Sequence, residues 1–215
     1  MENKNLLKKK ISEYIFPKEI QKNYLEGKKG TYTIKRLYLN DYLDYHFNDG
    51  NNYIFEECTL TQAFLSLKNQ YVAFKNCFFG GNVAIENKKT EYGSVIEFTG
   101  NYRREERYVD LEKLFISCSD ISFDDCLLLK AKELNLTGNY LKIVDSKISP
   151  KEVRLNNFSF CIVENSSINN FDFENEVKST YVEKSDINGF YYDLYEWGYS
   201  PELETYKESG KKAVL

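Results

Sequence analysis

A six-residue phrase recurs along this chain about every twenty residues: an apolar residue, two mostly polar ones, a Cys or Ser, any residue, and then Ile, Leu or Phe. It reads FEECTL at 55–60, FKNCFF at 74–79 and FDDCLL at 123–128, then IVDSKI at 143–148, VENSSI at 163–168 and VEKSDI at 182–187. A fixed period of this length is the mark of a chain wound into stacked coils, each burying its apolar surface against its neighbours. That constraint decides the architecture before any single strand or turn is placed.

A finer period lies inside the long one. Ile143, Ile148, Val153, Phe158, Val163, Ile168 and Phe173 stand five apart, and Val182 and Ile187 resume the series after a one-residue slip. Five-residue spacing fits neither a 3.6-residue helix nor a two-residue strand alternation. Four fives fill one period, so the spacing predicts a four-sided coil in which each side gives one large apolar residue to a central column. A small residue stands two positions earlier, as Cys58 does before Leu60, Cys77 before Phe79, Cys126 before Leu128 and Ser146 before Ile148. In this pattern the chain resembles the pentapeptide-repeat proteins over 53–84 and 121–192. The resemblance implies a right-handed quadrilateral parallel β-helix. A broader right-handed parallel β-helix with looser coils gives the same period. Both belong to one class: all-β, a right-handed parallel β-solenoid of about twenty residues per coil.

The 215 residues suffice for one domain with a sizeable interior, and 18 Tyr and 15 Phe supply bulk to a chain only 42% apolar. A net charge of −4 argues against a dedicated nucleic-acid binder, whose footprint is a basic patch. No stretch approaches the ~20 apolar residues of a membrane span, and the start has lysines after its leucines, the reverse of a secretory signal. Cys58, Cys77, Cys118, Cys126 and Cys161 make an odd count without a Cys-x-x-Cys pair, and His46 is the single histidine. Neither a disulfide framework nor a zinc site is expected from that set, and the cytoplasm is the natural compartment. No cofactor is expected.

Three regions depart from the repeat. Residues 1–30, with Leu6, Leu7, Ile11, Tyr14 and Ile15 at helical spacing before Pro17, predict a helical cap. The solenoid is expected over 31–190, with an irregular insertion near 86–113 that holds the charge cluster Arg103, Arg104, Glu105, Glu106 and Arg107. The stretch 95–102 has an echo in 134–140, so the coil is expected to run on through the insertion. Residues 191–215 begin with a dense aromatic cluster and read as a C-terminal cap and tail.

The functional candidates lie in these departures and beside the phrase. No nucleophile, base and orienting group can be assembled from the sequence, and the slot cysteines are expected to face inward and be inert. Acids precede the slot at Glu57, Asp125, Asp145, Glu164 and Glu183. Stacking sets Asp125 beside Asp145, and Glu164 beside Glu183, at about 4.8 Å. They form either a solvated face or a docking strip for a basic partner. Arg103, Arg104 and Arg107 are candidates as a contact loop, and Tyr195 and Trp197 as interface anchors. The expectation is a non-enzymatic protein-binding module of inhibitor or immunity type. By analogy of fold, its partner is expected to be a protein, a nucleic-acid enzyme or a ribonucleoprotein, with no direct nucleic-acid or membrane contact. The resemblance adds homodimerisation through the C-terminal end. Two alternatives stand beside it: a carbohydrate-active β-helix enzyme using Asp124, Asp125 and Asp145, and an end-to-end structural assembly unit.

Overall fold

The computed structural model describes residues 25–28, 30–39, 43–46, 51–67, 70–87, 94–100, 111–128, 131–198 and 201. In chain order the strands are β1 Leu25–Lys28, β2 Thr31–Lys35, β3 Tyr38–Leu39, β4 Leu43–His46, β5 Asn52–Glu56, β6 Thr59–Leu67, β7 Tyr71–Lys75, β8 Phe78–Asn87, β9 Val95–Thr99 and β10 Leu111–Ser117. They continue as β11 Asp120–Asp124, β12 Leu127–Leu128, β13 Glu133–Thr137, β14 Tyr140–Val144, β15 Lys147–Ile148, β16 Glu152–Asn156, β17 Phe158–Glu164 and β18 Ser167–Ile168. A one-turn helix, α1 Phe173–Glu176, precedes β19 Val177–Ile187 and β20 Phe190–Gly198.

The strands stack in parallel, coil upon coil, giving an all-β parallel solenoid of about six turns. The first side runs β2-β5-β7-β9-β11-β14-β17-β19, and a third side runs β4-β6-β8-β10-β13-β16. Between them the second side is built of two-residue pairings, as in Leu127↔Lys147↔Ser167↔Asp186. Strands therefore occupy three sides rather than the expected four equal ones. The fourth member of the five-residue series, Phe158, is buried at the corner where the third side returns to the first. Gly138 makes room for it, since a Cβ there would meet the Cys118 carbonyl oxygen at 2.5 Å and the Phe158 ring at 3.0 Å.

The phrase maps onto the first corner. Its opening residue faces inward at one register position: Phe55↔Phe74↔Phe98↔Phe123↔Ile143↔Val163↔Val182. The four Phe rings stack at centroid separations of 5.0, 5.2 and 4.9 Å, a continuous aromatic column down the first coils. The residue before the slot turns the corner in left-handed conformation: Glu57 (φ 54°), Asn76 (52°), Asp125 (51°), Asp145 (48°), Asn165 (47°) and Lys184 (47°). Asn, Asp and Gly tolerate that region best, which explains the Asn and Asp enrichment there.

The slot residue then points inward and ties coil to coil. Cys77 Sγ lies 3.3 Å from the Phe55 carbonyl oxygen and Cys126 Sγ 3.2 Å from that of Phe98. Farther along, the Cys126, Ser146 and Ser166 amides each donate to the hydroxyl of the next slot, Ser146, Ser166 and Ser185, at 3.0 Å. A small polar side chain at this position satisfies a buried amide that a larger apolar one would leave unpaired.

Both ends of the first stack finish in reversed strands. β1 pairs antiparallel with β2, so residues 25–28 form a strand where the helical spacing predicted the end of a helix; the helical expectation for 1–24 lies outside the described residues. The glycines at 27 and 30 disfavour helix, and pairing with β2 covers the first edge. At the other end β20 pairs antiparallel with β19. The third side is closed by α1: Glu176 Oε2 accepts a hydrogen bond from the Leu155 amide at 3.1 Å, covering the β16 edge. The solenoid does run on through the insertion, but β9 belongs to the first side and β13 to the third, so the echo between 95–102 and 134–140 joins strands of different faces. Residues 88–93 and 101–110 lie outside the described residues.

Candidate interaction site

The final strand is made by a hairpin signal in the sequence. Asn188 (φ 54°) and Gly189 (φ 83°) form the two-residue turn, the Asn-Gly pair that suits a type I′ connection and matches strand twist. The Asn-Gly dipeptide marks this hairpin, and it is the signal by which β20 could have been read in advance. β20 then runs back along β19, with Ile187↔Phe190, Asp186↔Tyr191, Val182↔Tyr195 and Thr180↔Trp197 as partners.

Inward-facing partners on β19 place Phe190, Tyr192, Tyr195 and Trp197 on the side nearest the core. Tyr192 and Tyr195 pack against it with ring centroids 5.2 Å apart. They act as the lid over the last coil. Phe190 and Trp197, near the two ends of the strand, are far less covered on that side, and Tyr191 and Leu194 face the other way. Phe190 is 69% exposed, Tyr191 66%, Leu194 61% and Trp197 45%, and these are the exposed large hydrophobics among the described residues. So the two aromatic candidates separate: Tyr195 is half-buried and structural, whereas Trp197 is largely exposed, on the opposite face of β20 from Tyr191 and Leu194. β20 has a partner strand on one edge only among the described residues. Around it lie Glu183, Asp186, Asp193 and Glu196, with Lys178 and Lys184.

The structure splits the acidic candidates into two columns. Glu57, Asp125 and Asp145 are corner residues, all exposed. Asp125 and Asp145 occupy successive coils, the Asp125 amide donating to the Val144 carbonyl oxygen and the Asp145 amide to that of Glu164. Glu57 stands apart near the first coil, held by Arg36 Nε at 2.8 Å. Glu164 and Glu183 are register partners at the end of the first side, in line with Asp124 and Val144. Lys184 Nζ sits 3.4 Å from Glu183. Arg103, Arg104 and Arg107 lie outside the described residues.

On the outward surface of the first side the strands assemble a polar group that no spacing suggested. Glu97↔Ser122↔Lys142 share one register row, with Asp120 and Asp124 two positions to either side of Ser122. The Tyr71 hydroxyl donates to Glu97. Burial raises the Asp120 carboxyl above its ordinary pKa. Burial raises Asp124 as well, with a further push from the Asp145 charge. The two-residue side-chain period along 95–99 and 120–124 brings these groups to one face.

Cys118, Cys126 and Cys161 carry the environment of buried thiols. Burial pushes the Cys126 thiol up to about 12 and raises Cys118 and Cys161 too. His46 ends β4, paired with Ser66 in register. Among the described residues no three His, Cys, Asp or Glu side chains are grouped as a metal would require, and no helix is long and apolar enough to cross a membrane. The chain matches no known protein family, no curated protein and no solved structure.

Proposed function

We propose that this protein is a non-enzymatic binding module whose protein partner docks on the β20 end of the solenoid. One observation carries the reading: among the described residues the large hydrophobic side chains left in solvent, Phe190, Tyr191, Leu194 and Trp197, all belong to one edge strand, two on each of its faces. Apolar groups collected at one place mark an interaction surface, whereas scattered ones need no explanation. An edge strand adds a second attraction, because an extended segment of the partner can add to the sheet alongside it. Rigid stacking beneath it means that little ordering entropy is lost on binding.

The rim fits a basic partner. Among the described residues Glu183, Asp186, Asp193 and Glu196 outnumber Lys178 and Lys184 around the patch, and acids on the Asp125–Asp145 corner extend the same sign along the solenoid. Surfaces that handle nucleic acid are basic, which supports an inhibitor or immunity-type role against such an enzyme. A second copy of the chain would set this acidic rim against itself under a two-fold axis, and like charges oppose that pairing.

The test is differential capture from a lysate of the cells that make the protein. Baits are the wild type, a Phe190→Ser, Leu194→Ser, Trp197→Ser variant, and a Glu57→Gln variant at the far end. The expected result is a basic protein held by wild type and Glu57→Gln and lost from the β20 variant, with wild type monomeric by light scattering. Equal recovery on all three baits overturns the reading. A dimer that the β20 variant dissolves, with no captured partner, assigns the patch to self-association instead.

A further inference from the structure

We propose that Cys58 and Cys77 form a peroxide-sensitive dithiol site that closes to an intrachain disulfide between neighbouring coils. The two occupy the same slot one coil apart. Glu56↔Lys75 before them and Thr59↔Phe78 after them are register partners, so the intervening Cys residues are stacked as well. Neighbouring strands lie about 4.8 Å apart, within the roughly 4.4–6.8 Å of Cα separation that a disulfide spans. Both side chains point into the same interior column. The pair is singular among the five cysteines: the next slot cysteine, Cys126, stands beyond the β9 coil, and Cys118 and Cys161 belong to other positions of the coil.

The sulfurs act on each other. When the Cys58 sulfur is ionised the Cys77 thiol turns to it as a donor, which lowers Cys58 and raises Cys77 relative to ordinary thiols. Sharing one proton between two sulfurs makes the first ionisation of the pair easy. The second is hard.

Access comes from one side. Cys58 is buried, but Cys77 is only partly so, and it borders a cavity of about 40 Å³ lined by Phe74, Phe79, Phe98, Gly100 and Cys126. A cavity needs on the order of 10–15 Å³ to hold one water, so hydrogen peroxide, little larger, can enter. Only Cys77 borders the cavity, so the shared proton first passes from Cys77 to Cys58, the less favoured arrangement, and the Cys77 thiolate so formed attacks one peroxide oxygen. The S–O bond forms, the O–O bond breaks, and the departing hydroxide takes a proton to become water. The Cys58 sulfur then attacks the Cys77 sulfenic sulfur, the S–S bond forms, and the oxygen leaves with the Cys58 proton as a second water. In sum two thiols and one peroxide give one disulfide and two waters. The bond would clamp the coils just ahead of the insertion.

The experiment treats the reduced full chain with hydrogen peroxide, quenches with catalase and alkylates under denaturant. The expected product has lost the mass of two hydrogens, keeps three alkylatable thiols, and yields a Cys58–Cys77 linked peptide that dithiothreitol releases. Cys126→Ser leaves the link intact, and Cys77→Ser abolishes it with unchanged far-ultraviolet circular dichroism. The proposal is overturned if all five thiols survive doses that oxidise free cysteine. It is equally overturned if Cys77 gains oxygen without the link, or if the linked peptide joins other cysteines.

Discussion

Asp125 and Asp145 are acids by charge, but their positions are set by backbone geometry. Each turns the first corner with φ near 50°, as do Asn76 and Asn165 in other coils. The sequence pattern presents them as an acidic strip, and only the corner geometry explains why Asn alternates with Asp there. Replacing Asp145 by Asn should therefore cost little, while Asp145→Val should destabilise by about 1–3 kcal/mol, because a β-branched residue resists the left-handed region. Urea denaturation of the two variants measures the difference. Asp120 offers a pH test. Its folded pKa is raised by burial, so the folded state holds the proton more tightly than the unfolded chain. The Asp120 contribution to stability is thus lost as pH rises through its folded pKa. Asp120→Asn should be the more stable protein at neutral pH, with the gain vanishing below the ordinary Asp value of about 3.9. Denaturation midpoints at several pH values read this directly.

At the scale of elements, the twenty-residue phrase was enough to place the first and second sides of the solenoid, because inward apolar residues and small slot residues leave a periodic trace. The third side was harder to read. Strand β10, Leu111–Ser117, has the in-out alternation of a rung but no Cys or Ser phrase beside it, and the similar wording of 95–102 and 134–140 suggested an equivalence that the register denies. Groups on the outer surface, such as Glu97 and Asp120, meet only through stacking between coils, so no local spacing reports them. The hairpin that ends the solenoid was legible in principle from Asn188-Gly189. At Gly189 a side chain would meet nothing within 4 Å, so its requirement is conformational alone. Gly189→Val should cost about 1–3 kcal/mol through its positive φ and fray β20 from β19. Faster amide exchange across 177–198 would show it, and rising light scattering would follow as the β19 edge opens.

Taken whole, the molecule is a stack of coils closed at both ends of its first side by antiparallel strands, β1 and β20. Its interior repeats with little change, and its slot residues serve the stacking. The proposed docking surface lies where the repeat stops and apolar side chains reach solvent. That placement also explains why the sequence tells more of architecture than of activity: a periodic core needs many agreeing residues, whereas a docking strand needs only a few. Docking on β20 is read by hydrogen exchange on the complex recovered by capture. Partner binding should slow exchange across 190–198 and leave the far coils, such as 52–56, unchanged. Protection at the distant corner or on the third side, with β20 exchanging as in the free protein, would contradict it.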